Sequence, residues 1–181
     1  MEAAERVRAF EEQILPHLRA GYTLARFLLR AEQDAEDVLQ ESLLRAFRSF
    51  DGFRGGDARL WLLAVVRNAC WSLLESKRGR HESASAPYEE DAHGQRGPGR
   101  DETPEVLLLR SLQQRELEAA VAGLSEEHRE ALVLREVEGL SYKEIAQVAR
   151  IPIGTVMSRL ARARRQVQAA LLARGQAGGT R

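Results

Sequence analysis

The sequence predicts an all-α protein, two small helical domains joined by a flexible linker, on three observations. Apolar residues recur three and four apart through both halves, with no convincing strand alternation anywhere. Between the halves, ESKRGRHESASAPYEEDAHGQRGPGRDETP (75–104) holds three of the five Pro, much Gly and Ser, charges of both signs and almost nothing to bury. At 44% hydrophobic and 30% charged, the 181 residues can build globular cores, which excludes disorder throughout. The domains are placed at 1–76 and 105–173, the linker at 77–104 and a disordered tail at 174–181.

In the first half, Phe10, Ile14, Leu18, Ala25 and Leu28 mark one helical stripe, which Pro16 should end or kink. Asp34 is placed as the N-cap of the next helix, with Asp37 at the capping-box position. On a wheel this helix buries Val38, Leu39, Leu43, Ala46, Phe47 and Phe50, and turns Asp37, Gln40, Leu44 and Arg48 outward. The Gly-rich DGFRGGD (51–57) then breaks the chain before LWLLAVVRNACWSLL (60–74), apolar nearly all round and so a central helix. Only Arg67 and Asn68 interrupt it strongly, and taken alone Asn68 reads as an amide bonded to neighbouring backbone.

Beyond the linker, helices are expected over 106–121, 126–138, 141–149 and 152–172. Ser141 and Glu144 form a capping box, and Ile145, Val148 and Ala149 a short apolar face. Pro152 suits the first turn of a new helix, giving helix, tight turn, helix. In the second of these, Val156, Leu160, Ala163 and Val167 share one stripe, while Ser158, Ala161, Arg162 and Arg165 lie opposite. Net charge is zero, yet seven Arg and no Asp or Glu follow Glu144. Small residues let a backbone approach a groove floor and Arg reaches phosphates or guanine edges, so this face suits the DNA major groove.

Other chemistry is thinly supported. The single Cys70 excludes an internal disulfide, the four His lack metal-ligand spacing, and neither a cofactor nor a metal is expected. The acids at Asp34, Glu36, Asp37 and Glu41 are explained by a helix N-terminus, and no nucleophile set or phosphate loop accompanies them, so no enzymatic role is read. No basic-then-apolar leader opens the chain, and its most apolar stretch, 60–66, is too short to span a bilayer; a cytoplasmic protein without membrane insertion is expected.

Three segments, DAEDVLQESLLRAFRSFDGFRG (34–55), WLLAVVRN (61–68) and LSYKEIAQVARIPIGTVMSRLARAR (140–164), together resemble regions 2.2, 2.3 to 2.4 and 4.2 of the extracytoplasmic-function (ECF) sigma factors of bacterial RNA polymerase. The resemblance implies that Asp37, Gln40, Glu41 and Leu44 dock on the β′ clamp helices of core polymerase. It implies that Asn68, with Arg67, reads the −10 element on the melted non-template strand. The second domain would meet the β flap and read the −35 element of promoter DNA through Thr155, Ser158 and Arg162, with Arg159, Arg164 and Arg165 on the backbone. The linker would thread through the polymerase and let the domains sit far apart. An anti-sigma factor that holds the protein inactive is usual in the family.

The sequence departs from the family pattern at Arg150, where Gly is frequent in the turn, at Met157 and Ala161, where Arg or an aromatic is common, and at Ser72, which replaces a frequent Asp. Two rival readings use the same residues. A polymerase-independent helix-turn-helix regulator leaves the region 2 pattern idle, and a sigma mimic that only sequesters an anti-sigma factor has no use for outward Arg162 and Arg165.

Overall fold

A computed structural model describes residues 3–81 and 104–178, and every regular element among them is helical. The first domain comprises α1 (Ala3–Ile14), α2 (Leu18–Leu29), α3 (Glu32–Ser49) and α4 (Ala58–His81). The second comprises α5 (Pro104–Ala122), α6 (Glu126–Leu132), α7 (Tyr142–Ala149) and α8 (Ile153–Gly178). Pro16 breaks the first stripe as expected: α1 stops at Ile14 and a 3₁₀ turn, Leu15–His17, redirects the chain into α2. In place of a continuous helix over 126–138, α6 widens into π-type turns across Val133–Val137.

The central helix is α4, which packs on α1, α2 and α3. Leu62, Leu63 and Val66 on it, with Ile14, Leu24 and Leu28, are fully buried, and each such side chain contributes about 1.5–3 kcal/mol. At Gly21 the helices approach closely: an added Cβ would meet Leu39 Cδ1 at 3.2 Å and Val66 Cγ2 at 3.3 Å. The break before α4 uses glycine for its backbone: Gly55 and Gly56 have φ of 87° and 111°, and Asp57 then caps α4 by accepting from the Leu60 amide at 3.1 Å.

Several expected boundaries move. Asp34 is not an N-cap: α3 begins at Glu32, Ala31 occupies the cap with no side-chain bond, and Asp34 in the first turn pairs with Lys77 of α4. Asp34 still complements the helix dipole there. The same pair helps α4 run on through residues 77–81, which composition assigns to the linker, and Arg78 adds a 3.0 Å bridge to Glu126 of the second domain. The last helix, α8, likewise runs on to Gly178, over most of the expected tail and in spite of Gly175. The rest of the linker, residues 82–103, and of the tail, 179–181, lie outside the described residues.

The two domains do not sit apart. They pack through α2 on α6 and α4 on α7, and buried Ala131, Val133, Leu134, Leu140, Ile145, Val148, Val156 and Leu160 continue the first domain's core. Two adjacent charged residues of α6 cross the join, both buried. The Arg129 guanidinium donates to the carbonyls of Val121, Ala122 and Leu124 behind α5 and to Phe27 and Leu28 at the end of α2. It thereby satisfies carbonyls that two helix C-termini leave open, and burial lowers its pKa. Its neighbour Glu130 faces α4.

Candidate nucleic-acid interface

Local chemistry builds the helix-turn-helix as the sequence reads. Ser141 Oγ accepts from the Glu144 amide at 3.2 Å and Glu144 Oε2 accepts from the Ser141 amide at 2.7 Å, closing the capping box. That exchange holds the Glu144 carboxyl below its ordinary value. At the other end of α7, Arg150 adopts φ 54°, the left-handed conformation usually given to glycine, and its amide closes the turn on Ala146 O. Pro152 ends the turn just before α8, its carbonyl accepting from the amides of Thr155 and Val156.

On α8 the predicted division of faces holds. Val156, Leu160 and Ala163 are buried, Val167 is half-buried, and Ser158, Ala161, Arg162 and Arg165 are exposed. Thr155 is half-buried at the edge of that face, and Ser158 Oγ donates to Thr155 O at 3.0 Å, leaving its lone pairs outward. Arg162 and Arg165 have no ion-pair partner among the described residues. The other two candidate arginines are engaged: Arg164 pairs with Glu136 at 2.7 Å, and Arg159 lies 3.8 Å from buried Glu130.

Glu130 also holds Arg67. Its Oε1 accepts from Arg67 Nε at 2.6 Å and from Trp71 Nε1 at 2.8 Å, and the Arg67 guanidinium lies over the Trp71 ring at 5.3 Å. One carboxylate, 1% exposed, thus joins a candidate −10 arginine to a candidate −35 arginine. Asn68 beside it is half-buried, and its Oδ1 accepts from Arg67 Nη1 at 3.5 Å. The backbone bond expected of that amide is not among its contacts; instead Ser72 Oγ donates to the Asn68 carbonyl.

The structure therefore separates the candidate residues into an open set on α8 and a set gathered on Glu130. Sequence reasoning missed the Glu130 and Trp71 partners of Arg67, and Arg129 beside Glu130 in sequence, which caps the carbonyls of α5 and α2. A signal existed: Arg129 and Glu130 stand four residues before Val133 and Leu134, so helical periodicity carries both charges inward.

In the first domain, α3 presents the second candidate surface. Asp37, Gln40, Glu41 and Leu44 are all exposed, Leu44 by 58%. Gln40, Leu43, Leu44 and Phe47 line an apolar groove of about 420 Å³ with Phe10 of α1, which stacks edge-on against Phe47 at 5.2 Å. Glu41 is bridged by Arg45 at 2.5 Å and Asp37 accepts from Gln33 at 3.3 Å, both pairs at the four-residue helical spacing.

Exposed Arg162 and Arg165 on a helix without Asp or Glu, and an apolar groove beside α3, are features that a DNA-binding factor with a protein partner would present. The comparisons narrow this class. Residues 14–80 match the model for sigma-70 region 2 and residues 114–167 that for sigma-70 region 4. Similar proteins include the RNA polymerase sigma-H factor of Pseudomonas aeruginosa, 36% identical over 91% of this chain and 86% of the relative, and the ECF RNA polymerase sigma-E factor of Haemophilus influenzae, 36% identical over 80% and 77%. The ECF RNA polymerase sigma factor SigE of Mycolicibacterium smegmatis is 34% identical over 88% of this chain, which spans only 60% of that relative. In structure the chain is similar to the sigma factor RpoE of Bartonella quintana, solved with the anti-sigma factor NepR, at a TM-score of 0.75 and 26% identity over 91% of this chain and 97% of that one. The chain belongs to the ECF sigma factors of the sigma-70 family, which act in transcription initiation. No helix among the described residues is long and apolar enough to cross a membrane.

Proposed function

We propose that this chain is a dissociable specificity subunit that works in the cytoplasm, catalyses nothing itself, and hands promoter DNA to core RNA polymerase through two faces. The observation that carries the reading is the outward face of α8, with exposed Arg162 and Arg165 and no Asp or Glu on the whole helix. Thr155, Ser158 and Arg162 face the bases of a −35 element there, and Arg165 a phosphate. Asp37, Gln40, Glu41 and Leu44 dock on the β′ clamp helices, with Phe10 extending the apolar contact, and the second domain meets the β flap. Asn68 reads an unstacked base at the −10 element, with Arg67 alongside. Arg67 and Arg159 reach DNA only by leaving Glu130, so engagement exchanges one buried carboxylate for phosphates. The anti-sigma factor NepR bound to the similar sigma factor RpoE of Bartonella quintana supports an anti-sigma factor as a third partner.

Co-elution with bacterial core RNA polymerase, followed by run-off transcription on a genomic promoter pool, tests both faces. A stable complex that initiates at a discrete promoter set is expected. Leu44→Asp places a charge in the apolar contact and should abolish co-elution while leaving the fold intact. Arg162→Ala should keep co-elution and lower promoter affinity by about 1–3 kcal/mol, the worth of one bidentate guanine contact. A chain that binds DNA yet ignores core polymerase would instead be a stand-alone regulator.

A further inference from the structure

Ile153, Met157 and Ala161 follow one another at intervals of four along α8 and are all exposed, Ile153 by 51% and Met157 by 54%. At about 100° per residue they form one edge of the outward face, and Ser158, Arg162 and Thr155 form the other. Gly154, Ser158 and Ala161 keep the surface low around the methionine, and at Gly154 nothing lies within 4 Å of where a Cβ would stand. The recognition face is therefore split lengthwise into an apolar strip and a polar one.

We propose that Met157, with Ile153 beside it, is a specificity-determining reader of a thymine C5-methyl group in the −35 element. The inference rests on the promoter-reading role proposed above for α8. Thymine alone places a methyl group on the floor of the major groove, whereas guanine, cytosine and adenine lack it and are told apart there by polar groups that a thioether pairs with poorly. DNA is favoured over a protein as the occupant on two grounds. Exposed Arg162 and Arg165 adjoin the strip, and α8 has no carboxylate to repel phosphate. Two side chains also cover far less than the roughly 800 Å² that each partner gives to a stable protein interface. Met157 and Arg162 then supply complementary chemistry on one helix: burial for a methyl, a forked donor for guanine.

The test uses holoenzyme assembled from this chain and core polymerase, and a promoter recovered from the genomic pool. Each −35 thymine is replaced in turn by deoxyuridine, which removes the methyl and keeps the base pair. At one position the wild type should bind about fourfold more weakly, the equivalent of one unburied methyl at about 0.8 kcal/mol. Met157→Ala, on an exposed helical surface that tolerates alanine, should erase that preference, while Arg162→Ala weakens binding and leaves the preference intact. The proposal is overturned if the wild type is indifferent to every deoxyuridine, or if Met157→Ala retains the preference; Arg162→Ala would still report on the helix. If Met157→Ala loses core polymerase with the preference unmoved, the strip belongs to a protein partner. If neither deoxyuridine nor Arg162→Ala changes binding, the role of α8 itself falls with the proposal.

Discussion

Glu130→Ala should unfasten the two domains. The carboxylate is 1% exposed and accepts from Arg67 Nε at 2.6 Å and Trp71 Nε1 at 2.8 Å, with Arg67 Nη2 at 3.4 Å and Arg159 Nη1 at 3.8 Å. Removing one member of a buried ion pair typically costs about 3–5 kcal/mol, because the charge left behind has lost its counter-ion. An orphaned indole N–H adds roughly 1–3 kcal/mol where water is excluded. The Arg67 and Arg159 side chains keep 17% and 23% exposure, so both guanidinium groups can regain water, which draws the expected loss to about 3 kcal/mol. Urea unfolding of the free chain reads this as a midpoint lowered by roughly 1–2 M for an ordinary denaturant slope. Pairing Glu130→Leu with Arg67→Met removes both charges of the closest pair. The cycle should return a coupling of at least about 1.5 kcal/mol. A loss under about 1 kcal/mol, or strictly additive single losses, would show that water already reaches Glu130 and that apolar contacts alone hold the domains together.

Two further expectations concern the turn and the response to acid. Arg150 sits at φ 54°, where a Cβ is strained, so Arg150→Gly should raise the thermal midpoint by an amount equivalent to up to about 1 kcal/mol; a fall would mean that the arginine side chain contributes more than its backbone costs. For Glu126, burial pushes the carboxyl up, but its hydrogen bonds with backbone and Arg78 prevail and its pKa is lowered from 4.5. Glu144 is lowered from the same value by its bonds with Ser141. Both therefore stabilise the fold above about pH 4.5, and their contribution disappears as pH falls through the depressed folded values. In a pH series of urea midpoints, Glu126→Gln and Glu144→Gln should each flatten the acid limb; an unchanged limb would place the acid sensitivity elsewhere.

The sequence alone determined whatever is encoded within a turn or two of helix. The period of three and four named the helices and their buried stripes, and Ser141 and Glu144 announced a cap that the structure reproduces bond for bond. It also turned Leu44, Arg162 and Arg165 outward, because the direction of a helical side chain follows from its position on the wheel. Where a local signal competed with a distant partner, it misled: Asp34 has the chemistry of an N-cap, but Lys77 claims its carboxylate and the helix starts earlier. Only the tertiary structure decided that the two domains share a core and that Arg67 and Arg159 meet at Glu130. Arg67 and Glu130 are 63 residues apart, with the whole linker between them. Periodicity shows that a charge is carried inward, but the partner that makes its burial tolerable is chosen by packing across the fold.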